Sequence, residues 1–389
     1  MNVDSLSLTS AAFFAALTAV TWAAMPAMDR TREQVRSLLA VVLGTTIALF
    51  SGSLAWFLVG WTITALPYIA GWHGTTAPGK SSRSLPGLCA GTSVVALAAG
   101  TWLATTEHST AAFAALTLAV LLRKGVFPFH SWVAQAMENG PLASQGLFLN
   151  AQLGLFLLIR FAIPMLPEPA QASLPFLSIL ALLTSLYAAV LALAETAPRR
   201  ILGLLCVSQA SFVLAGLENR NAEGITGALV QAFAVAAATT GLLTVYRALE
   251  ARYPDVRFTA GHLGLANTAP RLAVFFALCG LALIGLPGTL GFAAEDLLFH
   301  GSLESHPLLG ITLPLATALN GITIFRLFTT LFLGRAAKDS VAITDALPAE
   351  RWSLTATSAF LVITGIAPAL LIGLRSAHAE QLARLLGGN

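Results

Sequence analysis

The most informative residue for chemistry is Lys124, which ends an apolar run and is followed at once by Gly125–Pro128. A lysine at membrane depth costs roughly 2.5–3.5 kcal/mol on insertion scales, so it normally persists only where it faces a wet cavity or a partner. The glycine and proline beside it predict a broken helix at the same depth, which is how transporters build ion sites. We therefore expect Lys124 to exchange protons. The alternative is that Lys124 and Arg123 form a basic pair that snorkels to a nearby interface.

Other ionisable residues follow this break and a second one. His130 and Glu138 could extend a polar path towards the cytoplasm, or they could lie at the membrane surface. Glu295, Asp296 and His300 follow the Gly/Pro interruption near 285–291. Two adjacent carboxylates in a hydrophobic helix indicate a counter-charge or a proton relay. The alternative is a pair of acids in the first turn of a half-helix, where the helix dipole favours them.

Neutral polar residues in other apolar segments are candidates for the same path. They are Asn150, Gln152, Ser208, Gln209 and Gln231. Such groups can hydrogen-bond water along an ion path, but polar packing between helices explains them equally well. Near helix ends, we interpret Arg160 and Arg326 as snorkelling anchors and Trp61 and Trp72 as interfacial belt residues.

The composition is that of a membrane protein. The chain has 389 residues, of which 56% are hydrophobic and 10% charged, whereas soluble domains carry about 25% charged residues. The net charge of +3 gives no support to nucleic-acid binding. Three scattered cysteines provide no metal spacing, and no Walker motif, dinucleotide fingerprint, haem-binding cysteine pair or nucleophile elbow is present. We expect no catalysis, metal or cofactor in this chain.

Hydropathy predicts an all-α, polytopic membrane protein with about twelve transmembrane helices. The hydrophobic segments run approximately over 8–26, 37–51, 54–72, 85–106, 110–138, 141–163, 172–194, 200–217, 225–247, 269–303, 308–333 and 353–374. Two are too long for one straight crossing and should be broken helices, near 125–128 and near 285–291. The first lacks a basic region before it and a cleavage site after it, so we interpret it as a span rather than a signal peptide.

The loop charges and the spacing of the breaks predict the topology. Lys and Arg follow the first, third, seventh, ninth and eleventh segments, whereas the intervening loops are poor in both. This alternation indicates both termini outside, in a bacterial inner membrane. The breaks lie five segments apart, which predicts an inverted repeat of five-helix units. The expected organisation is an N-terminal helix in 1–36, repeats in 37–163 and 172–333, and a C-terminal helix in 353–389.

Several motifs occur in a fixed order along the chain. They are Val59–Tyr68, Arg123–Trp132 followed by Ala136–Glu138, Pro198–Leu202 with Ser208–Gln209, Gly285–Asp296, and Phe325–Phe328. Together they resemble the antiporter-like membrane subunits of respiratory complex I, especially the subunit 5 type, and their Mrp-antiporter relatives. The resemblance covers roughly residues 37–335. It implies the same fold, an inverted repeat of five-helix units with two broken helices.

The same resemblance places Lys124 at the family's central lysine. Thr62 and Asn150 stand where the family has a glutamate and a histidine. In the ninth segment, the family's histidine and lysine correspond to Gln231 and Val235. Glu295 replaces the lysine after the second break. The resemblance therefore implies either one half-channel through Lys124 or a path rebuilt around Lys124 and Glu295/Asp296.

Among the members of this family, the chain is most similar to the DabB proteins, which are the membrane subunits of a two-component inorganic-carbon accumulation system. That similarity implies that the chain conducts protons or sodium and energises a large peripheral cytoplasmic DabA-like partner. Zinc, in a site like that of β-carbonic anhydrase, is expected in that partner. Loop charges suggest Asp29–Arg36, His73–Ser84 and Glu250–His262 as docking faces. One alternative is an antiporter-like subunit of a complex I, Mrp or membrane hydrogenase assembly. Another is a non-conducting membrane scaffold.

Overall fold

The computed structural model describes residues 4–72, 85–254, 256, 258–259, 261–302, 307–334 and 344–387, and these contain helices and no strands. The helices are α1 (Ser5–Ala24), α2 (Arg32–Leu49), α3 (Leu54–Ile69), α4 (Leu85–Leu103), α5 (Ser109–Lys124), α6 (Ser131–Asn139), α7 (Leu142–Asn150), α8 (Leu153–Leu157), α9 (Ile163–Met165), α10 (Pro167–Ala194), α11 (Pro198–Ala215), α12 (Ala222–Arg252), α13 (Pro270–Leu283), α14 (Leu290–Ser302), α15 (Pro307–Phe332), α16 (Pro348–Ile366) and α17 (Ala369–Leu385). A π-helical turn, Leu158–Ala162, joins α8 to α9.

Several helices begin at side-chain caps that the sequence supplies. Asp4, Thr31, Ser53 and Asn221 each accept a hydrogen bond from a backbone amide in the first turn of the helix that follows. Such caps satisfy amides that have no partner within the helix, typically contributing about 1 kcal/mol each. They fix where the apolar segments become helical.

Seven helical segments of the described residues are long and apolar enough to cross a membrane, counting Leu142–Met165 (α7 to α9) as one, and α16 with α17, bent by 74°, would make an eighth. The prediction of an all-α, polytopic membrane protein is confirmed. The number of helices that meet this criterion is smaller than the predicted twelve because several apolar helices are short. Helices α3 and α5 have 16 residues each and α13 has 14.

The core of the molecule surrounds α12, which contacts α7, α11, α13, α14, α16 and α17. Nearly every residue from Gly224 to Leu249 is buried. Polar residues on this helix therefore face protein on all sides. Because unsatisfied polar groups are costly there, their partners can be traced through the contacts of the neighbouring helices.

The chain leaves the helical conformation at three places near the core. Helix α5 ends before Gly125, which has φ +69°, and α6 begins at Ser131. Helices α13 and α14 are separated by a segment in which Gly285 has φ +67°. A third break, absent from the sequence prediction, separates α7 from α8 at Gln152, with φ +51°. The limits of the repeats and their inverted relation stay a prediction.

Candidate functional site

Lys124 lies at the end of α5 with its amino group facing the break between α7 and α8. The residue is 7% exposed. Its Nζ donates a hydrogen bond to Oε1 of Gln152 and a longer one, 3.4 Å, to the carbonyl oxygen of Leu149. Leu149 is in the last turn of α7, where carbonyls lack partners within the helix. Within the described parts of the chain, no carboxylate forms an ion pair with Lys124.

This environment suits proton exchange. Neutral oxygens hold the protonated amine by hydrogen bonds without a permanent counter-charge. The amine can then lose its proton without leaving a buried carboxylate unpaired, which would be expensive. A lysine in such surroundings is the kind that serves as a proton acceptor in proteins.

Arg123 precedes Lys124 in the chain but lies in a separate environment. Its guanidinium carbon is 4.3 Å from the ring centre of Trp61 and 3.9 Å from that of Phe148. Its Nη1 donates a 2.8 Å hydrogen bond to the hydroxyl of Thr64. Consecutive helical residues point about 100° apart, so Arg123 faces α3 and α7 while Lys124 faces the α7–α8 break. The stacking on two rings indicates that Arg123 binds these helices together.

Two side chains of α3 named in the sequence analysis make contacts within the protein. Trp61 is fully buried and donates from its indole nitrogen to Ser93 at 3.2 Å, so its interpretation as an interfacial residue is wrong. Thr62 bonds back to the carbonyl of Leu58 at 2.8 Å. The residue of α3 that reaches the basic pair is therefore Thr64, two positions further on.

Polar contacts continue from the α7–α8 break to α12. Nδ2 of Asn150 donates to the hydroxyl of Thr240 at 2.9 Å and to the carbonyl of Ala236 at 3.2 Å. Its Oδ1 accepts from the hydroxyl of Thr239 at 3.0 Å. We call Lys124, Gln152, Asn150, Thr239 and Thr240 the lysine cluster. Neither threonine was singled out in the sequence, although Thr239 lies two turns after Gln231.

Glu295 forms the centre of a second buried group beside the α13–α14 break. It is 8% exposed, and its Oε1 accepts from the hydroxyl of Thr317 at 3.3 Å. Gln231 of α12 also interacts with this carboxyl group, and its Nε2 donates to Oε1 of Gln209 at 3.2 Å. A Cβ at Gly285 would lie 2.5 Å from Oε2 of Glu295, so the carboxyl group rests against the broken segment. We call Glu295, Thr317, Gln231 and Gln209 the glutamate cluster.

One apolar residue separates the two clusters along α12. Gln231, Val235 and Thr239 follow each other at intervals of four residues and so share one face of the helix. Val235 is 2% exposed. The face is therefore polar at both ends and closed in the middle by an aliphatic side chain.

Ser208, next to Gln209, belongs to a polar contact of its own. Its hydroxyl donates to the carbonyl of Ser185 at 2.9 Å and accepts from Nδ2 of Asn320 at 2.8 Å. Asn320 was not singled out in the sequence. This contact ties α10, α11 and α15 together beside the glutamate cluster.

The other predicted ionisable residues point away from these clusters. Asp296 and His300 pair with each other at 3.3 Å, and their side chains are 52% and 54% exposed. Glu138 is 44% exposed and pairs with Arg200 at 3.1 Å. The ring of His130 lies against those of Phe127 and Tyr187 on the far side of the first break, and its Nδ1 has no hydrogen-bond partner among the described residues.

The two predicted anchor arginines make specific contacts. Arg160 forms an ion pair with Asp4. Arg326 donates from Nη2 to the carbonyls of Ala192 and Glu195, at 2.9 and 2.7 Å, and so caps the end of α10. These contacts join helices that are distant in sequence.

Within the described residues, ion pairs join several charges at the predicted cytoplasmic end. Arg199 donates twice to Glu250, each bond 2.6 Å long, and Arg247 donates twice to Asp29, each 2.5 Å long. Within the predicted docking faces, Asp29 and Glu250 are therefore already paired. The face His73–Ser84 lies outside the described residues, and Glu250–His262 is described only in part.

In the described chain, no group of three or more His, Cys, Asp or Glu residues could hold a metal ion. The three cysteines are buried and unpaired with each other. The absence of a cofactor from this chain and the zinc of a partner remain expectations.

A family profile described as NADH:quinone oxidoreductase/Mrp antiporter, TM matches residues 88–321. NADH-quinone oxidoreductase subunit M of Rhodobacter capsulatus is 25% identical over 288 residues, covering 72% of this chain and 56% of that protein. Subunit 13 of Thermus thermophilus is 30% identical over 284 residues, covering 71% and 58%. The chain thus spans little more than half the length of these relatives.

Solved structures share the fold. A chain of respiratory complex I from Thermus thermophilus with bound NADH superposes with a TM-score of 0.87 at 23% identity, covering 99% of this chain and 86% of that one. A chain of the Mrp complex from Dietzia sp. DQ12-45-1b gives a TM-score of 0.83 at 22% identity, with the same coverage.

Proposed function

Because the chain belongs to the NADH:quinone oxidoreductase/Mrp antiporter transmembrane family, we propose that it is an antiporter-like, proton-translocating subunit of a multisubunit membrane assembly. The assembly would be of the complex I, Mrp or membrane hydrogenase type, with catalysis and cofactors in other subunits. The observation that carries this proposal is the buried Lys124 amine at a helix break, whose hydrogen-bond partners among the described residues are neutral oxygens. A charge in that position is retained at considerable cost, and proton traffic gives a reason for it.

The proposed path runs from the lysine cluster along α12 to the glutamate cluster. Lys124 and Glu295 exchange protons at its two ends, and the amides and hydroxyls between them orient the water that carries the proton past Val235. We favour protons over sodium because a cationic amine on the path repels a metal cation. Glu138, Asp296 and His300 lie outside this path.

Proton flux into proteoliposomes of the purified chain tests the proposal, with a pH-sensitive dye inside and a potassium diffusion potential as driving force. We expect Lys124→Met to abolish most of the flux. The matched control, Arg384→Gln, removes an exposed charge from α17 and should leave the flux unchanged. Equal flux from Lys124→Met and the wild type would contradict the proposal and favour a scaffold. A sodium-selective dye response would identify sodium as the conducted ion.

A narrower proposal follows the similarity to DabB: the chain energises a peripheral zinc protein for inorganic-carbon uptake at the bacterial inner membrane. One buried amine, with the acid Glu295 rather than a second lysine, supports a single gated path of the kind that a one-way driver needs. Co-expression with its genomic neighbour in a carbonic-anhydrase-deficient host at ambient CO2 tests this. Rescue by the wild type but not by Lys124→Ala, with the complex intact in a pull-down, would support it. If neither the wild type nor Lys124→Ala rescues growth, the result would favour a subunit of a redox or antiporter assembly.

A further inference from the structure

A cavity of about 350 Å³ lies between α1, α12, α16 and α17, and none of the residues that line it belongs to the lysine or glutamate cluster. Its walls are mostly apolar, and its large side chains are Phe13, Leu17, Phe233, Phe360, Leu371 and Leu374. The volume lies within the usual range of small-ligand sites, roughly 300–1,000 Å³. One charged residue, Arg375, lines it.

Arg375 is buried and only partly satisfied. It is 3% exposed, its Nη2 donates to the hydroxyl of Ser10 at 3.0 Å, and its guanidinium carbon is 4.6 Å from the ring centre of Phe233. Its Nε and Nη1 are buried and have no hydrogen-bond partner within the described chain. Buried donors without acceptors are expensive, particularly on a charged group. Two donor nitrogens of a residue that lines the cavity therefore remain for an anion.

The charges around Arg375 also leave a positive excess. Asp4 is the carboxylate that acts on Arg375 electrostatically, but it is already paired with Arg160. His378, whose ring is affected by Arg375, Asp4 and Arg160, has a buried Nδ1 that no described residue contacts by a hydrogen bond. Two arginines thus face one aspartate, and Arg375 carries the charge that is left uncompensated.

We propose that this cavity binds an amphipathic anion, with its carboxylate or phosphate head on Arg375 and its acyl chain against the apolar walls. Guanidinium groups bind both heads by charge-assisted hydrogen bonds. An acyl chain also fills the apolar walls that an inorganic anion would leave uncovered. Helix α17 is bent by 74° from α16, and its contact with α1 brings the arginine to Ser10.

The test measures retained ligand on the purified full-length chain by native mass spectrometry. The chain is first delipidated in detergent and then exposed to phosphatidylcholine vesicles that contain either phosphatidylglycerol or oleic acid. We expect one anionic amphiphile per wild-type chain and at least a tenfold lower occupancy for Arg375→Gln. Retained phosphatidylglycerol would identify the head as a phosphate, and retained oleate as a carboxylate.

Two pairs of variants separate binding from folding. Arg384→Gln makes the same charge change at an exposed position of α17 and should retain the ligand. Ala16→Trp, which fills the cavity from α1, should lose it although Arg375 is present, whereas Ala15→Trp, on α1 but not lining the cavity, should retain it. Equal occupancy in the wild type and Arg375→Gln, or no ligand on the wild type in either vesicle, would overturn the proposal. The Ala16→Trp pair keeps this test valid if Arg375→Gln does not fold.

Discussion

The amine of Lys124 donates its hydrogen bond to Gln152, a residue whose φ of +51° places its backbone in the left-handed region. A non-glycine residue in a sparsely populated conformation costs of order 1–3 kcal/mol. In the described part of the chain, the one other non-glycine residue with positive φ is Arg220. Glycine would adopt this backbone conformation at a lower cost. The glutamine is therefore explained by its side-chain amide, which accepts the hydrogen bond from Lys124.

The two roles of Gln152 can be separated by substitution. Gln152→Gly relieves the backbone but leaves the buried amine with only the Leu149 carbonyl, so we expect proton flux to fall close to that of Lys124→Met. Gln152→Asn keeps an amide and tolerates the left-handed conformation, so it should retain part of the flux. The dye assay in proteoliposomes measures both. Full flux from the glycine variant would show that the acceptor is unnecessary.

Arg123 is expected to matter for stability and not for conduction. Arg123→Lys replaces a planar group stacked between Trp61 and Phe148 by an amine that cannot stack. We expect the free energy of unfolding to fall by about 1–2 kcal/mol, with unchanged flux per folded molecule. Thr64→Val is the companion variant, because it removes the hydroxyl that accepts from Arg123. A loss of flux that exceeds the loss of folded protein would place Arg123 on the path.

Two glycines of the α13–α14 break provide a matched pair. Gly285 and Gly288 both have positive φ, so alanine at either position strains the backbone. Only at Gly285 would the new methyl group collide with the Glu295 carboxyl group, 2.5 Å away; at Gly288 nothing lies within 4 Å. We expect both variants to lose roughly 1–2 kcal/mol of stability and only Gly285→Ala to lose proton flux. Equal flux from both would remove Glu295 from the path.

Two of the buried charges could be located from the sequence, whereas the direction of each charged side chain could not. Lys124 and Glu295 were recognisable because a charge in an apolar segment is expensive wherever it points. The sequence did not show which way adjacent charged side chains point. Arg123 lies in the same hydrophobic segment as Lys124, and Asp296 in the same segment as Glu295. Asp296 turns outward because His300, one helical turn later, lies on the same exposed face.

The third helix break shows a different limit. Breaks at Gly125 and Gly285 were predicted from glycine and proline, which disrupt helices by their own backbone properties. The break at Gln152 carries neither residue, and its left-handed glutamine is held by a contact with a helix that is remote in sequence. Because the contact is tertiary, no local sequence pattern predicts this break.

Glu195 provides a pH dependence outside the membrane. Partial burial acts to raise the pKa of this carboxyl group, but the hydrogen bond from Arg200, the backbone amides of Thr196 and Ala197 and the charge of Arg200 outweigh it, so the pKa lies below its ordinary value of 4.5. A lowered pKa contributes stability that is complete above the unfolded value and is lost as the pH falls through the folded one. Stability from Glu195 is thus present at neutral pH and is lost progressively as the pH falls from about 4.5 through the lower folded pKa.

Thermal unfolding of Glu195→Gln measures this contribution. We expect a midpoint about 1 °C below that of the wild type at pH 7, and the difference should close on acidification below pH 4.5. Glu107→Gln, which makes the same charge change at an exposed position, should show neither effect. If the difference in midpoint stays constant with pH, packing and not charge accounts for the contribution of Glu195 to stability.

Val235 is the residue expected to limit flux between the two clusters. Gln231 and Thr239 are eight residues apart on α12, or about 12 Å along the axis at 1.5 Å per residue, and the aliphatic side chain between them offers a proton no partner. Val235→Thr adds a hydroxyl at nearly unchanged volume, so we expect a several-fold higher flux, and Val235→Leu should lower it. Val230→Thr, equally buried but about 140° round the helix, is the control and should leave flux unchanged. If Val235→Thr also leaves it unchanged, the proton crosses this level by another face and the path along α12 is wrong.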